Sequence, residues 1–126
     1  MRIGDTLGIR VVRLAGDALD RTRQRVQQDT LGHRGRSGDP LYRVRRTLRT
    51  RLGLLSDRQR ARLETVFGYD EHVAVEVTWW AYQEIIAAYQ QDRPRDGKLR
   101  MFKVIKALHV KIPNDLRELR VLGQTL

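Results

Sequence analysis

The chain has 126 residues, a length that fits one domain and leaves no room for a second sizeable one. Hydrophobic residues make up 40% of it, which excludes a disordered tail, and no run reaches the roughly 20 apolar residues of a membrane span. Cysteine is absent, which excludes disulfides and thiolate chemistry, and the start Met1-Arg2-Ile3-Gly4-Asp5 is no apolar leader, so a cytoplasmic protein is expected.

The predicted elements are helical from end to end, five or six helices in an irregular all-α bundle. The one place left for a strand is the N-terminus, where a short remnant is allowed over residues 1–10, extending toward Val12. From about Ile9 to Thr30, Val12, Ala15, Leu19 and Val26 recur at helical spacing. Asp17, Asp20, Arg21, Arg23 and Arg25 are expected to face outward, with Asp17 and Arg21 as an (i, i+4) pair. Gly32 is suited to a left-handed cap.

His33 to Pro40 reads as a loop, since its glycines, Ser37 and Asp39-Pro40 leave no periodic apolar residue. Pro40 fits the first turn of a second helix, with Leu41, Val44, Leu48 and Leu52 on one face and five arginines on the rest, until Gly53. Ser56-Asp57-Arg58-Gln59 has the spacing of a capping box, and its helix runs to Phe67, before Gly68. In Glu71–Gln91, Val73, Val75 and Val77 alternate as in a strand. Val75, Trp79, Tyr82, Ile86 and Tyr89 keep a helical period for longer, and the longer pattern decides for helix. Four of the eight aromatic residues lie here, so the segment is the expected centre of packing. A polar loop follows over Gln91–Gly97. Met101, Ile105, Leu108 and Ile112 then define a helix closed by Pro113, and a last short one carries Leu116, Leu119 and Leu122, with Gly123 as its cap.

The charge is uneven. Residues 1–62 hold sixteen arginines against six aspartates, while residues 63–126 balance nine basic against nine acidic side chains. The whole excess of +10 therefore belongs to the first half. A GC-rich gene explains arginine in place of lysine but not the shortage of acids in one half. Such asymmetry predicts a polyanionic partner, and DNA fits best because the guanidinium fork matches phosphate oxygens and guanine edges. A membrane surface fits poorly, because the basic segment has only Tyr42 as an aromatic. The candidate DNA-contacting residues are Arg34, Arg36, Arg43, Arg45, Arg46 and Arg49.

Catalytic constellations are missing. Gly32-His33-Arg34-Gly35 lacks the strand–turn–helix frame of a phosphate loop, and His33, His72 and His109 have no partner at zinc-site spacing. No catalytic and no metal-ligating residue is assigned, and no cofactor is expected for this chain.

Three strings carry a resemblance: Val11-Val12-Arg13-Leu14-Ala15, Arg25 to Arg36 with Asp29-Thr30-Leu31-Gly32-His33-Arg34-Gly35-Arg36 at its end, and Gly38-Asp39-Pro40-Leu41-Tyr42-Arg43. With Leu54-Leu55-Ser56-Asp57-Arg58-Gln59 and Glu71 to Trp79, they resemble an internal region of bacterial insertion-sequence transposases of the ISL-three family. The likeness runs from about Val11 onward, more loosely to Leu126. It implies a ribonuclease-H-like DDE domain in which three carboxylates hold two divalent ions for DNA cleavage and strand transfer. In the family, the second aspartate stands just before the Val-Val-Arg-Leu run, in a pattern like Asp-Pro-Phe-His-Val-Val. Here Leu7 occupies its place, and Asp5, two residues off, would sit about 7 Å along a strand. The first aspartate and the glutamate fall outside the matching stretch.

The resemblance thus implies a single helical segment, residues 1–126, of a transposase DDE domain. Residues 11–69 form its arginine-rich part and residues 70–126 its aromatic-rich half. The expectation is a truncated transposase fragment, inactive alone, that binds DNA and self-associates through exposed helical faces. Two alternatives stay open: an independent small helical DNA-binding regulator, with the helix Leu41–Arg51 as its recognition helix, and a protein-interaction piece.

Overall fold

In a computed structural model, residues 6–32, 38–110 and 116–125 are described. Among the described residues seven α-helices follow one another: α1 Thr6–Leu31, α2 Pro40–Arg43, α3 Arg45–Arg49, α4 Asp57–Phe67, α5 Val73–Tyr89, α6 Pro94–Val110 and α7 Arg117–Thr125. Single 3-10 turns occupy Leu52–Leu54 and Asp70–His72. The fold is all-α, as the periodicity predicts, and there is no strand among the described residues. The expected strand remnant is corrected: Thr6 to Val12 is the first part of α1, and residues 1–5 lie outside the described residues. β-Branched Val11 and Val12 yield here to burial, because both pack against the core from a helical stripe.

The core is built on α5. Its most extensive interface is with α1, and the next is with α6. Ala15, Ala18 and Leu19 of α1, and Val75, Ala81, Ile85 and Ala88 of α5, are all 0–1% exposed. Alanines on both helices allow close approach of the two backbones, and the larger Leu19 and Ile85 fill the space between. α7 adds Leu119 and Leu122 against α1 and α6. Val75 is buried and Val73 exposed, so the apparent Val alternation lies on opposite sides of a helix.

Local sequence explains most boundaries. Gly32 has φ +78°, and its N–H donates to Gln28 O at 3.0 Å, which closes α1 in the left-handed form that glycine adopts freely. Gln59 N–H donates to Ser56 Oγ at 3.2 Å and Ser56 N–H to Gln59 Oε1 at 2.9 Å, a reciprocal cap on α4. Two expected boundaries move. The loop expected over Gln91–Gly97 ends early, because Pro94 already opens α6. Gly123 does not end α7 but lies within it, where an added Cβ would stand 3.0 Å from Leu108 Cβ, so the residue serves close helix packing. Ile112, Pro113 and Asn114 lie outside the described residues.

One ion pair ties the last helix to the first. Arg25 Nε donates to Glu118 Oε1 at 2.6 Å, with side chains only 20% and 13% exposed. Burial alone would raise the Glu118 carboxyl. The hydrogen bond from Arg25, a backbone N–H and the charges of Arg25 and Arg117 outweigh it and hold the carboxyl below its ordinary value. A carboxyl lowered in the folded state stabilises above its unfolded value of 4.5, and that contribution disappears as pH falls through the folded value. Glu118→Gln is therefore expected to cost about 1–3 kcal/mol at neutral pH, and urea titrations from pH 7 down to pH 2 should show the gap between variant and parent closing in acid.

Candidate nucleic-acid interface

The arginine-rich corner begins with a broken helix. Leu41, Val44 and Leu48 keep their helical spacing and are all buried, yet the chain leaves helical geometry at Val44, with φ −99° and ψ 10°. The single helix expected over Leu41–Arg51 is thus corrected to two, of four and five residues, followed by a 3-10 turn. Arg45 explains how the break is tolerated. Its Nη1 donates to Tyr42 O at 3.0 Å, and its guanidinium carbon lies 3.9 Å from the Tyr42 ring centroid. The Tyr42 carbonyl, which also accepts the Val44 N–H, thus gains a charged donor at the break, and the ring face holds that donor in place.

Arg49 runs the other way, onto α1. Its Nη1 donates to Asp20 Oδ2 at 2.6 Å and lies 3.7 Å from Asp17 Oδ1. Asp17 thus meets Arg49 and not, as its spacing suggests, Arg21. The guanidinium crosses α1 at Gly16, where an added Cβ would come within 2.4 Å of Nη2. Burial opposes the Arg49 charge, but the hydrogen bond and charge of Asp20, with support from Tyr82, hold it above its ordinary value.

The strand-like strap after Arg49 is held from α5 as well. Tyr82 OH donates to Arg49 O at 3.0 Å, Gln83 Nε2 donates to Thr50 O at 2.8 Å, and Leu52 N–H donates to Gln83 Oε1 at 2.8 Å. Gln83 is only 8% exposed. One buried amide therefore serves two backbone groups that no helix satisfies.

Behind the corner lies Arg23, expected at the surface but buried. It follows Leu19 by four residues and precedes Val26 by three, which puts it on the buried stripe of α1. Its Nη1 donates to Gln27 Oε1 at 2.6 Å, Gln27 Nε2 reaches Asp39 Oδ2 at 3.4 Å, and its guanidinium carbon lies 5.8 Å from the Tyr42 ring centroid. Burial, with the nearby Arg45 charge, lowers Arg23 from its ordinary value against the pull of Asp20 and Tyr42. Asp20, Arg23, Arg45, Arg46, Arg49 and Thr50 line an open depression of about 340 Å³.

Of the six candidate residues, Arg45, Arg46 and Arg49 line this depression, and Arg43 lies next to them in sequence at the end of α2. Arg43 and Arg46 are exposed, while Arg45 and Arg49 are half-buried and engaged with Tyr42 and Asp20. Arg34 and Arg36 lie outside the described residues. Arg23, Tyr82 and Gln83 are the participants that spacing alone passes over.

Several of the described carboxylates are paired with arginine. Among the described residues no three His, Asp or Glu side chains lie together as metal ligands. Asp17 and Asp20 turn to Arg49, Glu118 to Arg25, and Glu84 to Arg100, with Arg100 Nε 2.9 Å from Glu84 Oε2. Among the described residues no helix is long and apolar enough to cross a membrane.

A family model described as a transposase, of the ISL-three DDE type, matches residues 10–126. No curated protein and no solved structure matches the chain.

The buried amide gives a direct test of the corner. Gln83→Ala leaves Thr50 O and Leu52 N–H without their partner and is expected to cost about 2 kcal/mol. Chemical denaturation should show it, with amide exchange quickened over Arg49–Leu54 well before the rest of the chain.

Proposed function

The chain belongs to the ISL-three family of DDE transposases, and from that membership and the arginine corner we propose that it grips DNA during transposition and does not itself cut strands. The observation that carries this reading is the exposure of Arg43 and Arg46 beside an oriented Arg45, in the half of the chain that holds the entire charge excess. Arginines fixed on a buried frame lose less side-chain freedom on binding phosphate than arginines on a mobile loop. In this division of labour, residues 11–69 meet the DNA and residues 70–126 support them.

The non-cutting part of the proposal rests on Leu7, where the family pattern has an aspartate, with support from the arginine pairing of Asp20, Glu84 and Glu118. The chemistry of DNA cleavage in the family belongs to two divalent ions, and we assign no residue of this chain to them. The regulator alternative loses support, because helices of four and five residues are too short to serve as the recognition helix it requires. Trp80, Leu99 and Phe102, exposed on α5 and α6, mark the faces through which self-association would run.

Phosphate contact makes affinity depend steeply on salt, with a slope of about −0.9 per phosphate neutralised. Arg43→Ala with Arg46→Ala should weaken binding to a duplex about tenfold or more and flatten the log–log salt slope by about 2. Fluorescence anisotropy across a salt series reads both. Unchanged affinity and slope would remove the corner from the interface. Nicking of a supercoiled plasmid by the purified chain with Mg²⁺, lost on changing one carboxylate, would overturn the non-cutting claim.

A further inference from the structure

The depression behind the corner contains more positive charge than its own acid balances. Four arginines, Arg23, Arg45, Arg46 and Arg49, line it with one carboxylate, Asp20, and Asp20 is already bound to Arg49 at 2.6 Å. Arg23 and Arg45 lie 5.8 and 3.9 Å from the centroid of the same Tyr42 ring, so two like charges are held close enough to repel. Arg23 is 5% exposed, and its Nε is buried without a hydrogen-bond partner among the described residues. A buried donor left unmade and a fixed pair of like charges both disfavour the empty arrangement, and an anion relieves the second directly.

We infer that this depression is a seat for a single phosphate group, held by Arg45 and Arg46 and backed by the buried Arg23. The inference rests on the DNA-gripping reading for its natural ligand, a backbone phosphate, but the oxyanion chemistry is shared by free phosphate. Arg45 is aimed by Tyr42: its Nη1 is fixed on the Tyr42 carbonyl, which leaves its remaining N–H donors for a ligand. Arg46 supplies the exposed arm at the rim. Arg49 takes no part in the grip; by pairing with Asp20 and Asp17 it offsets the nearby negative charges that would repel a phosphate from the depression. Tyr42 is then a positioning residue, and its ring matters more than its hydroxyl.

The test is an NMR titration of arginine Nε–H signals with inorganic phosphate, against sodium chloride at equal ionic strength, followed by the same titration with a short DNA duplex. Arg45 and Arg46 are expected to shift along a saturable curve with phosphate and not with chloride. Remote Arg58 and Arg62 should drift only slightly. Tyr42→Leu, which keeps every charge, should weaken phosphate about 3-fold, whereas Tyr42→Phe should keep parental affinity, as the strength of a cation–ring contact requires. Arg46→Gln should lower the DNA salt slope by about 1. Linear shifts equal to those of Arg58 and Arg62, or equal affinity in Tyr42→Leu and Tyr42→Phe, would overturn the seat. Saturable phosphate binding with no DNA binding would keep the seat and sink the DNA reading; salt-sensitive DNA binding without saturable phosphate binding would do the reverse.

Discussion

The arrangement of this molecule depends on how the strap from Arg49 to Leu52 is fastened. From one side, the Arg49 guanidinium lies across α1 at Gly16 and meets Asp20 and Asp17. From the other, Tyr82 and Gln83 of α5 hold three backbone groups of the strap. Arg60 of α4 adds an exposed bond to Leu52 O at 3.1 Å. A chain that leaves helical geometry among packed helices must find partners for its N–H and C=O groups, and here one buried amide and one phenol supply them. Segments of four and five residues are too short to be stable helices alone, so α2 and α3 depend on these partners together with the burial of Leu41, Val44 and Leu48.

The arginines accordingly fall into different kinds, which composition does not separate. Arg23, Arg25 and Arg49 are structural: each is partly or wholly buried and tied to a specific acceptor. Arg45 is intermediate, fixed by Tyr42 yet lining the depression. Arg43 and Arg46 are exposed. The excess charge of the first half therefore overstates the number of arginines at the surface, but those that remain are carried on a frame that holds their positions. Specific neutralisation of Asp17 and Asp20 removes the nearest negative charges from the same face, so the structural arginines also shape the field the exposed ones present.

Much of the fold was legible because periodicity is set by burial. Leu19, Val26, Leu63, Val75, Ile86, Leu108 and Leu119 all lie inside, where their spacing places them, and the caps at Gly32 and Ser56 follow from residue chemistry within a few positions. The remaining features are set by particular side-chain contacts that hydrophobic spacing does not encode. The break at Val44 depends on Arg45 folding back on Tyr42, the outward expectation for Arg23 ignored the stripe it shares with Leu19 and Val26, and Gly123 was read as a stop because its neighbour Leu108 is fifteen residues away. In place of the strand remnant expected over residues 1–10, α1 runs from Thr6 onward. The site was half legible: the arginine cluster is evident in the sequence, but the partners that fix its segment, the acceptor Asp20 on α1 and the donors Tyr82 and Gln83 on α5, lie about thirty residues away on either side.

The central claim is that DNA lies against the corner formed by α2 and α3, and mapping backbone amide shifts on adding a short duplex at low salt tests it most directly. The account predicts the largest changes over Tyr42–Thr50 and along the facing turn of α1 around Asp20, fading as salt is raised. Changes centred instead on the lysines of α6, or none anywhere on the chain, would contradict it.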